Sequence, residues 1–255
     1  MTLKEETLNQ YKKNVYSQFG EDGIVEQVLK ISGQGQKTCV EFGAWDGIYL
    51  SNTANLWKNN WKAVLIECDY KKFEELKINT HEYACSCFNY KISSNKLKID
   101  KVLEEANIKS LDLMSIDIDG NEYHIFESMS IKPRILICEF NPTIPLGMEI
   151  VGDEEENIGC SASALITLAK NKGYSLIAMT LVNCIFITSS ESHLFKVYDT
   201  SPETLFDKKC LTYMISAYDG SYLLSRKPTY GMTVWNKNKL KYGELFGNIL
   251  EKKCH

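Results

Sequence analysis

Five short apolar or β-branched runs, Thr38–Phe42, Ala63–Glu67, Cys87–Ser93, Leu111–Asp117 and Ile135–Phe140, punctuate the first part of the chain. Most are continuous rather than alternating, the pattern of strands buried on both faces of a parallel sheet. Between them the apolar period lengthens. Tyr70, Phe73 and Leu76 recur at helical spacing within Tyr70–Ile78, and Val102, Leu103 and Ala106 do the same within Asp100–Ala106. Buried strands alternating with helical stripes predict a doubly wound α/β sheet.

After the fifth run the pattern changes. Pro142–Cys160 reads as a long connection carrying Gly147, Gly152 and the acidic stretch Asp153–Glu156. A helix is predicted over Ser161–Asn171 on Leu165, Ile166, Leu168 and Ala169, with Gly173 placed to end it. Two closely spaced runs, Tyr174–Thr180 and Cys184–Thr188, then predict an antiparallel pair. No repeat or low-complexity linker divides the chain. The expectation is one domain over residues 1–255: an N-terminal helical segment (1–37), an α/β core (38–190) and a C-terminal extension (191–255). Aromatic residues of the extension, such as Tyr213, Tyr218, Tyr222 and Trp235, are candidates for an acceptor pocket, a core or a homodimer contact.

Composition narrows the class of partner. Apolar residues make up 44% and charged residues 24%, an ordinary globular balance, with a net charge of -4. Lys and Arg are scattered, which disfavours nucleic acid as a partner and points to a small acceptor. The polar N-terminus has no signal-like apolar core, and no run is long enough to span a bilayer. The nine cysteines include Cys39, Cys68, Cys138 and Cys184 inside apolar runs. That usage reads as free buried thiols in a reducing, cytoplasmic setting. Cys85 and Cys87 lack a second pair at zinc spacing.

The most specific local signal lies at the ends of the first two runs. The first ends in Glu41-Phe42-Gly43-Ala44-Trp45-Asp46-Gly47, an acid followed by a glycine bend in which the backbone can approach a ligand closely. The acid disfavours phosphate, and Glu41 suits a cationic ligand. The second run ends in Glu67, 20 residues beyond Gly47, the spacing at which a strand-tip acid accepts hydrogen bonds from ribose hydroxyls. A solvated strand-end acid is the bland alternative.

With these motifs on the page a family resemblance emerges. Tyr16-Ser17-Gln18-Phe19-Gly20-Glu21-Asp22, the Glu41–Gly47 bend with Leu50-Ser51-Asn52-Thr53, and Leu113-Met114-Ser115-Ile116-Asp117-Ile118-Asp119-Gly120-Asn121-Glu122 resemble the FkbM-type methyltransferases. The likeness covers about residues 15 to 190. It implies the class I methyltransferase fold, a Rossmann-like, mostly parallel sheet with an antiparallel strand near its C-terminal end. It also implies S-adenosylmethionine as donor and O-methylation, often of a sugar in polysaccharide or antibiotic pathways. The expected acceptor is a nucleotide-linked sugar of a surface or capsular polysaccharide pathway. On this resemblance Gln18, Ser51 and Asn52 line the methionine end of the donor, beside Glu41, Gly43, Ala44, Gly47, Glu67 and Asp117. Alternatively, Gln18 and Asn52 only cap helices. The chain departs from the family in having Ser115 where Lys is common and Asp119 where Glu is common.

A second cluster gathers acids at the fourth and fifth strand tips: Asp117 and Asp119, then Glu139 and Asn141. Asp117, Glu139 and Asn141, supported by Asp119, would form an all-oxygen site suited to Mg2+ or Mn2+. Without an ion, Asp117 instead hydrogen-bonds a ligand, Asp119 caps the next helix and Glu139 orients the acceptor. An alcohol must lose its proton to become a good nucleophile, and His124, Asp119 and Asp117 are the candidates to assist. Asp117-Ile118-Asp119 is also a D-x-D, so a metal-dependent glycosyltransferase is one alternative. A non-catalytic S-adenosylmethionine-binding module is another.

Overall fold

Seven strands form one sheet in the computed structural model, which describes residues 6–154 and 156–230. They are β1 (Thr38–Phe42), β2 (Lys62–Ile66), β3 (Cys85–Phe88), β4 (Leu113–Ile116), β5 (Ile135–Glu139), β6 (Tyr174–Met179) and β7 (Asn183–Thr188). Their order is β3-β2-β1-β4-β5-β7-β6. The first five pair in parallel, and β7 runs antiparallel to both β5 and β6. This is the class I methyltransferase plan expected from the sequence. The order reverses between β1 and β4, where an open α/β sheet forms a ligand crevice beyond the carboxyl ends of its strands.

Continuous apolar runs form these strands because both faces are covered. Val40, Leu65, Leu113 and Ile137 have no exposed surface. Helices α1 (Glu21–Ser32), α2 (Ala54–Trp57), α3 (Tyr70–Thr80), α4 (Ile99–Glu105), α5 (Glu122–Ser128), α6 (Ala162–Asn171) and α7 (Pro202–Leu205) complete the regular structure. In α1 the apolar face Ile24, Val25, Val28 and Leu29 is buried, which supplies the stability that so short a helix lacks alone. Ser161 caps α6 by accepting the Ala164 N–H at 3.1 Å, and the helix ends just before Gly173, as predicted.

Two expectations need correction. The third strand ends at Phe88 rather than at Ser93. Its next residue, Asn89, turns its amide to the carbonyls of Glu67 and Cys68, at 2.8 and 3.2 Å, which takes the chain out of the ladder. Cys68 is exposed, whereas Cys39, Cys138 and Cys184 are buried free thiols whose pKa burial drives well up.

The described chain divides into two units: residues up to Asn141 with Leu146–Phe206, and Pro142–Pro145 with the described residues from Asp207 onward. The second contains a hairpin of β8 (Met214–Ser216) and β9 (Tyr222–Leu224). Tyr213 and Tyr218 are exposed, and Trp235 lies outside the described residues.

At the N-terminal edge of the sheet a single cation joins four segments. Arg134 donates to Glu191 at 3.0 and 2.8 Å, to Asp112 at 3.3 Å, and to the carbonyls of Ser32 and Gly33 at 2.9 and 3.3 Å. The Asp112 side chain is only 4% exposed, so removing the guanidinium leaves a buried carboxylate without its counter-charge. Arg134→Ala is expected to lower unfolding free energy by about 3 kcal/mol. Urea denaturation checks this, and an unchanged midpoint would contradict it.

Candidate functional site

Strand register sets the site. Phe42 pairs with Ile66 and Ile116, and Ile116 with Cys138, so Gly43, Glu67, Asp117 and Glu139 follow at one level on adjacent tips. The chain leaves β1 through Gly43, whose φ of +77° lies in the left-handed region. A Cβ there would stand 1.7 Å from the Asp117 carbonyl oxygen. Only glycine allows the first and fourth tips to approach this closely.

The bend is anchored to the second tip. Trp45 N–H donates to Glu67 Oε2 at 2.8 Å, and Asp69 N–H to Glu67 Oε1 at 2.7 Å. Two backbone donors thus fix the carboxylate while each oxygen keeps a lone pair for a ligand hydroxyl. Asp46 accepts from the N–H groups of Ile48 and Tyr49, at 2.9 and 2.7 Å, and shapes the far side of the loop. Ala44 is buried, and its N–H donates to the Ile66 carbonyl at 3.1 Å.

Glu41 faces inward. Its carboxylate accepts from Ser51 Oγ at 2.6 Å, Thr53 Oγ1 at 2.7 Å and Asn52 N–H at 2.7 Å. Burial pushes its pKa up, and these three donors hold it down. Asn52 extends its amide to Ser115 Oγ at 3.0 Å. The serine at the family's lysine position therefore joins the β1 and β4 tips through a neutral hydrogen bond. Ser51, Asn52 and Glu41 come together as expected, but as one buried network. Gln18 is exposed on the preceding loop, and neither it nor Asn52 caps a helix through its side chain.

Sequence reading missed Asp22. Its Oδ2 accepts the N–H groups of Val15, Tyr16 and Ser17, each at 2.8 Å, while its Oδ1 is buried without a partner. Asp22 also lies near enough to Glu41 to raise that group's pKa. Two neighbouring buried carboxylates suit a cation, and an acid in the first turn of a helix gave no hint of this. The glycine-lined bend, the fixed Glu67 and this paired negative charge fit a ligand with a ribose and a positively charged end.

At the fourth and fifth tips, Asp117 and Glu139 hydrogen-bond each other. Burial is the main cause that pushes Asp117 up to about 7 and Glu139 up to about 10, with like-charge repulsion adding to the latter. A pair raised in this way gives up its first proton near neutral pH and keeps the second well above it. Glu122, the first residue of its helix, holds the loop before it, accepting from the N–H groups of Ile118 and Gly120 at 3.0 and 2.9 Å. Asp119 is exposed in a left-handed backbone conformation, φ +58°. His124 Nε2 lies 2.8 Å from the Gly152 carbonyl, which can only accept, so that nitrogen carries a proton and only Nδ1 is left to take one.

The expected Mg2+ or Mn2+ site at Asp117, Glu139 and Asn141 finds no support among the described residues. Among the described residues no three His, Cys, Asp or Glu side chains form a group able to hold an ion. Asp117 and Glu139 satisfy one another through a shared proton, and Asn141 turns its side-chain N–H to the Ile158 carbonyl at 2.8 Å.

Comparison with known proteins adds the family. Residues 88–176 match the model of the methyltransferase FkbM domain. No curated protein matches the sequence significantly. Among solved structures, a Staphylococcus aureus protein named as a caffeoyl-CoA O-methyltransferase is 16% identical, covering 65% of this chain and 81% of its own, with a TM-score of 0.43. The methyltransferase domain of bacterial CtHen1-C is 15% identical, covering 71% of this chain and 99% of its own, with a TM-score of 0.42. An Aquifex aeolicus SAM-dependent methyltransferase is 14% identical, covering 67% and 89%, with a TM-score of 0.37. The match runs from the end of the third strand into the sixth, so this part of the chain is similar to the methyltransferase FkbM domain.

Proposed function

We propose that the protein transfers a methyl group from S-adenosylmethionine to a hydroxyl of a small polar acceptor, a nucleotide-linked sugar. The observation that carries this reading is the Trp45 N–H to Glu67 bond, which locks a glycine bend and a ribose-accepting carboxylate into one cradle. Glu41 and Asp22 supply negative charge toward the donor's ammonium. The donor supplies a methyl group already activated on a sulfonium, so the protein's task is alignment and exclusion of water. Asp117, with Glu139 holding the pair's proton, takes the proton from the acceptor hydroxyl; a base with a pKa near 7 is matched to that step. No step is routed through a metal. No helix among the described residues is long and apolar enough to cross a membrane; we place the protein in the cytoplasm, where activated sugars are made.

Two measurements test this. Glu67→Ala is expected to weaken donor binding by about a hundredfold, the worth of charge-assisted hydrogen bonds to two hydroxyls. Unchanged affinity in calorimetry would show that the ribose lies elsewhere. A mass-shift screen of activated sugars with S-adenosylmethionine, with and without a chelator, identifies the acceptor. Methylation of a sugar hydroxyl with chelator present is expected, and turnover lost on chelation would contradict the metal-free proton transfer.

A further inference from the structure

Gly152 is held at both of its backbone polar groups. Its N–H donates to the Gly159 carbonyl at 2.8 Å, and its own carbonyl lies 2.8 Å from His124 Nε2. The first of these bonds belongs to a small hairpin in which Val151 bridges Cys160 in antiparallel fashion. At its base Ser161 N–H donates to the Ile150 carbonyl at 2.8 Å, and Ile150 N–H donates to Ser161 Oγ at 3.1 Å. The hairpin rests on the two strand tips that carry Asp117 and Glu139. A Cβ on Gly120 would stand 3.3 Å from the Glu156 carbonyl oxygen and 3.4 Å from Asn157 Cα, and one on Gly159 would stand 3.8 Å from Glu122 Oε2. Asn141, just beyond Glu139, donates its side-chain N–H to the Ile158 carbonyl at 2.8 Å, and Ser94 hydrogen-bonds Glu154. His124 and Asn141, which the sequence offers as a base and a metal ligand, each meet a carbonyl of this hairpin.

We infer that the hairpin over residues 150–161 is the acceptor-side wall of the crevice, and that His124 is a positioning residue for the acceptor, acting through the Gly152 carbonyl. This rests on the methyl-transfer reading above, in which the acceptor hydroxyl meets Asp117. A wall fixed to both tips restricts the poses the acceptor can take beside that carboxylate. A carbonyl only accepts, so the bond needs a hydrogen on Nε2, which the neutral Nε2–H tautomer and the imidazolium both provide. The latch is indifferent to the charge on the ring, whereas a general base must gain and lose a proton. Losing this one hydrogen bond loosens the wall and leaves the reacting groups in place, an effect of about tenfold on acceptor affinity.

The test compares the full-length wild type with His124→Ala and with His124→Gln, which keeps an N–H donor near the place of Nε2. Deuterium exchange read by mass spectrometry follows the hairpin itself. Peptides covering 150–161 should exchange about tenfold faster in His124→Ala and within about threefold of wild type in His124→Gln. Methyl transfer from S-adenosylmethionine to UDP-glucose, UDP-N-acetylglucosamine and GDP-mannose gives the second readout. Acceptor KM should rise about tenfold in His124→Ala with kcat within about threefold, and His124→Gln should keep both. A kcat at least about a hundredfold lower in His124→Gln at unchanged KM would make His124 the base and overturn the inference. Wild-type exchange or wild-type KM in His124→Ala overturns it, as does a Gln variant no better than the Ala variant. A folded wild type that methylates none of these sugars overturns the nucleotide-sugar reading and the acceptor role with it. The exchange difference, measured without any acceptor, then still decides whether His124 latches the hairpin.

Discussion

Gly43→Ala is expected to abolish donor uptake and to lower unfolding free energy by about 3 kcal/mol or more. The added methyl would meet the Asp117 carbonyl oxygen at 1.7 Å, and that atom is backbone at a strand tip, so no rotamer change relieves the clash. The φ of +77° adds strain of its own. Relief requires the β1 and β4 tips to separate, which breaks the Asn52–Ser115 bond and shifts Glu41 and Asp117 together. Gly147, with nothing within 4 Å of a built Cβ, is the control: alanine there brings left-handed strain alone. Urea denaturation and calorimetric titration of the two variants check the difference. A Gly43→Ala protein with the wild-type midpoint and affinity would show that the two tips do not need this approach.

The second large effect is on the pH dependence of stability. Asp117 and Glu139 have folded-state pKa values raised above those of the unfolded chain, where carboxyls titrate near 4. Raised acids stabilise the fold fully below the unfolded value. Their contribution falls as pH rises, for Asp117 through about 7 and for Glu139 through about 10. In buffer containing a chelator, the thermal midpoint is therefore expected to fall steadily from pH 5 to pH 8. Glu139→Gln keeps a hydrogen-bond donor for Asp117 and removes a carboxyl that the fold must keep protonated at a pH where the unfolded chain ionises it. It should melt higher than wild type at pH 8 and show a flatter dependence. A wild-type midpoint that is flat over this range, or a Gln variant less stable at pH 8, would contradict the shared-proton description.

Much of the architecture was legible because the central strands are mostly apolar, Glu41 in β1 and Ser115 in β4 notwithstanding. Val40, Leu65, Leu113 and Ile137 belong to runs that only a doubly covered strand tolerates. The third strand was harder, since Ile92 is buried like a strand residue yet belongs to a loop that begins when Asn89 leaves the ladder. The strand-tip acids could be named from spacing, but their partners could not. Ser51, Asn52 and Thr53 reach Glu41 only because the bend through Gly43 and Gly47 folds back within twelve residues. The Asp117–Glu139 bond was hidden in the parallel register of β4 and β5, where a metal seemed an equal way to relieve two facing acids. His124 has a titratable ring that invites a catalytic role, and its nearest fixed partner is a loop carbonyl 28 residues away. Trp45 stands inside the Glu41–Gly47 bend, but neither its left-handed backbone nor its exposure can be read from residue type.

All of these roles converge on one cradle, and calorimetric titration of the full chain with S-adenosylhomocysteine tests it most directly. The geometry at Gly43, Trp45 and Glu67 predicts saturable binding at a single site per chain. A protein that melts cooperatively yet gives no binding heat at several temperatures would contradict the account.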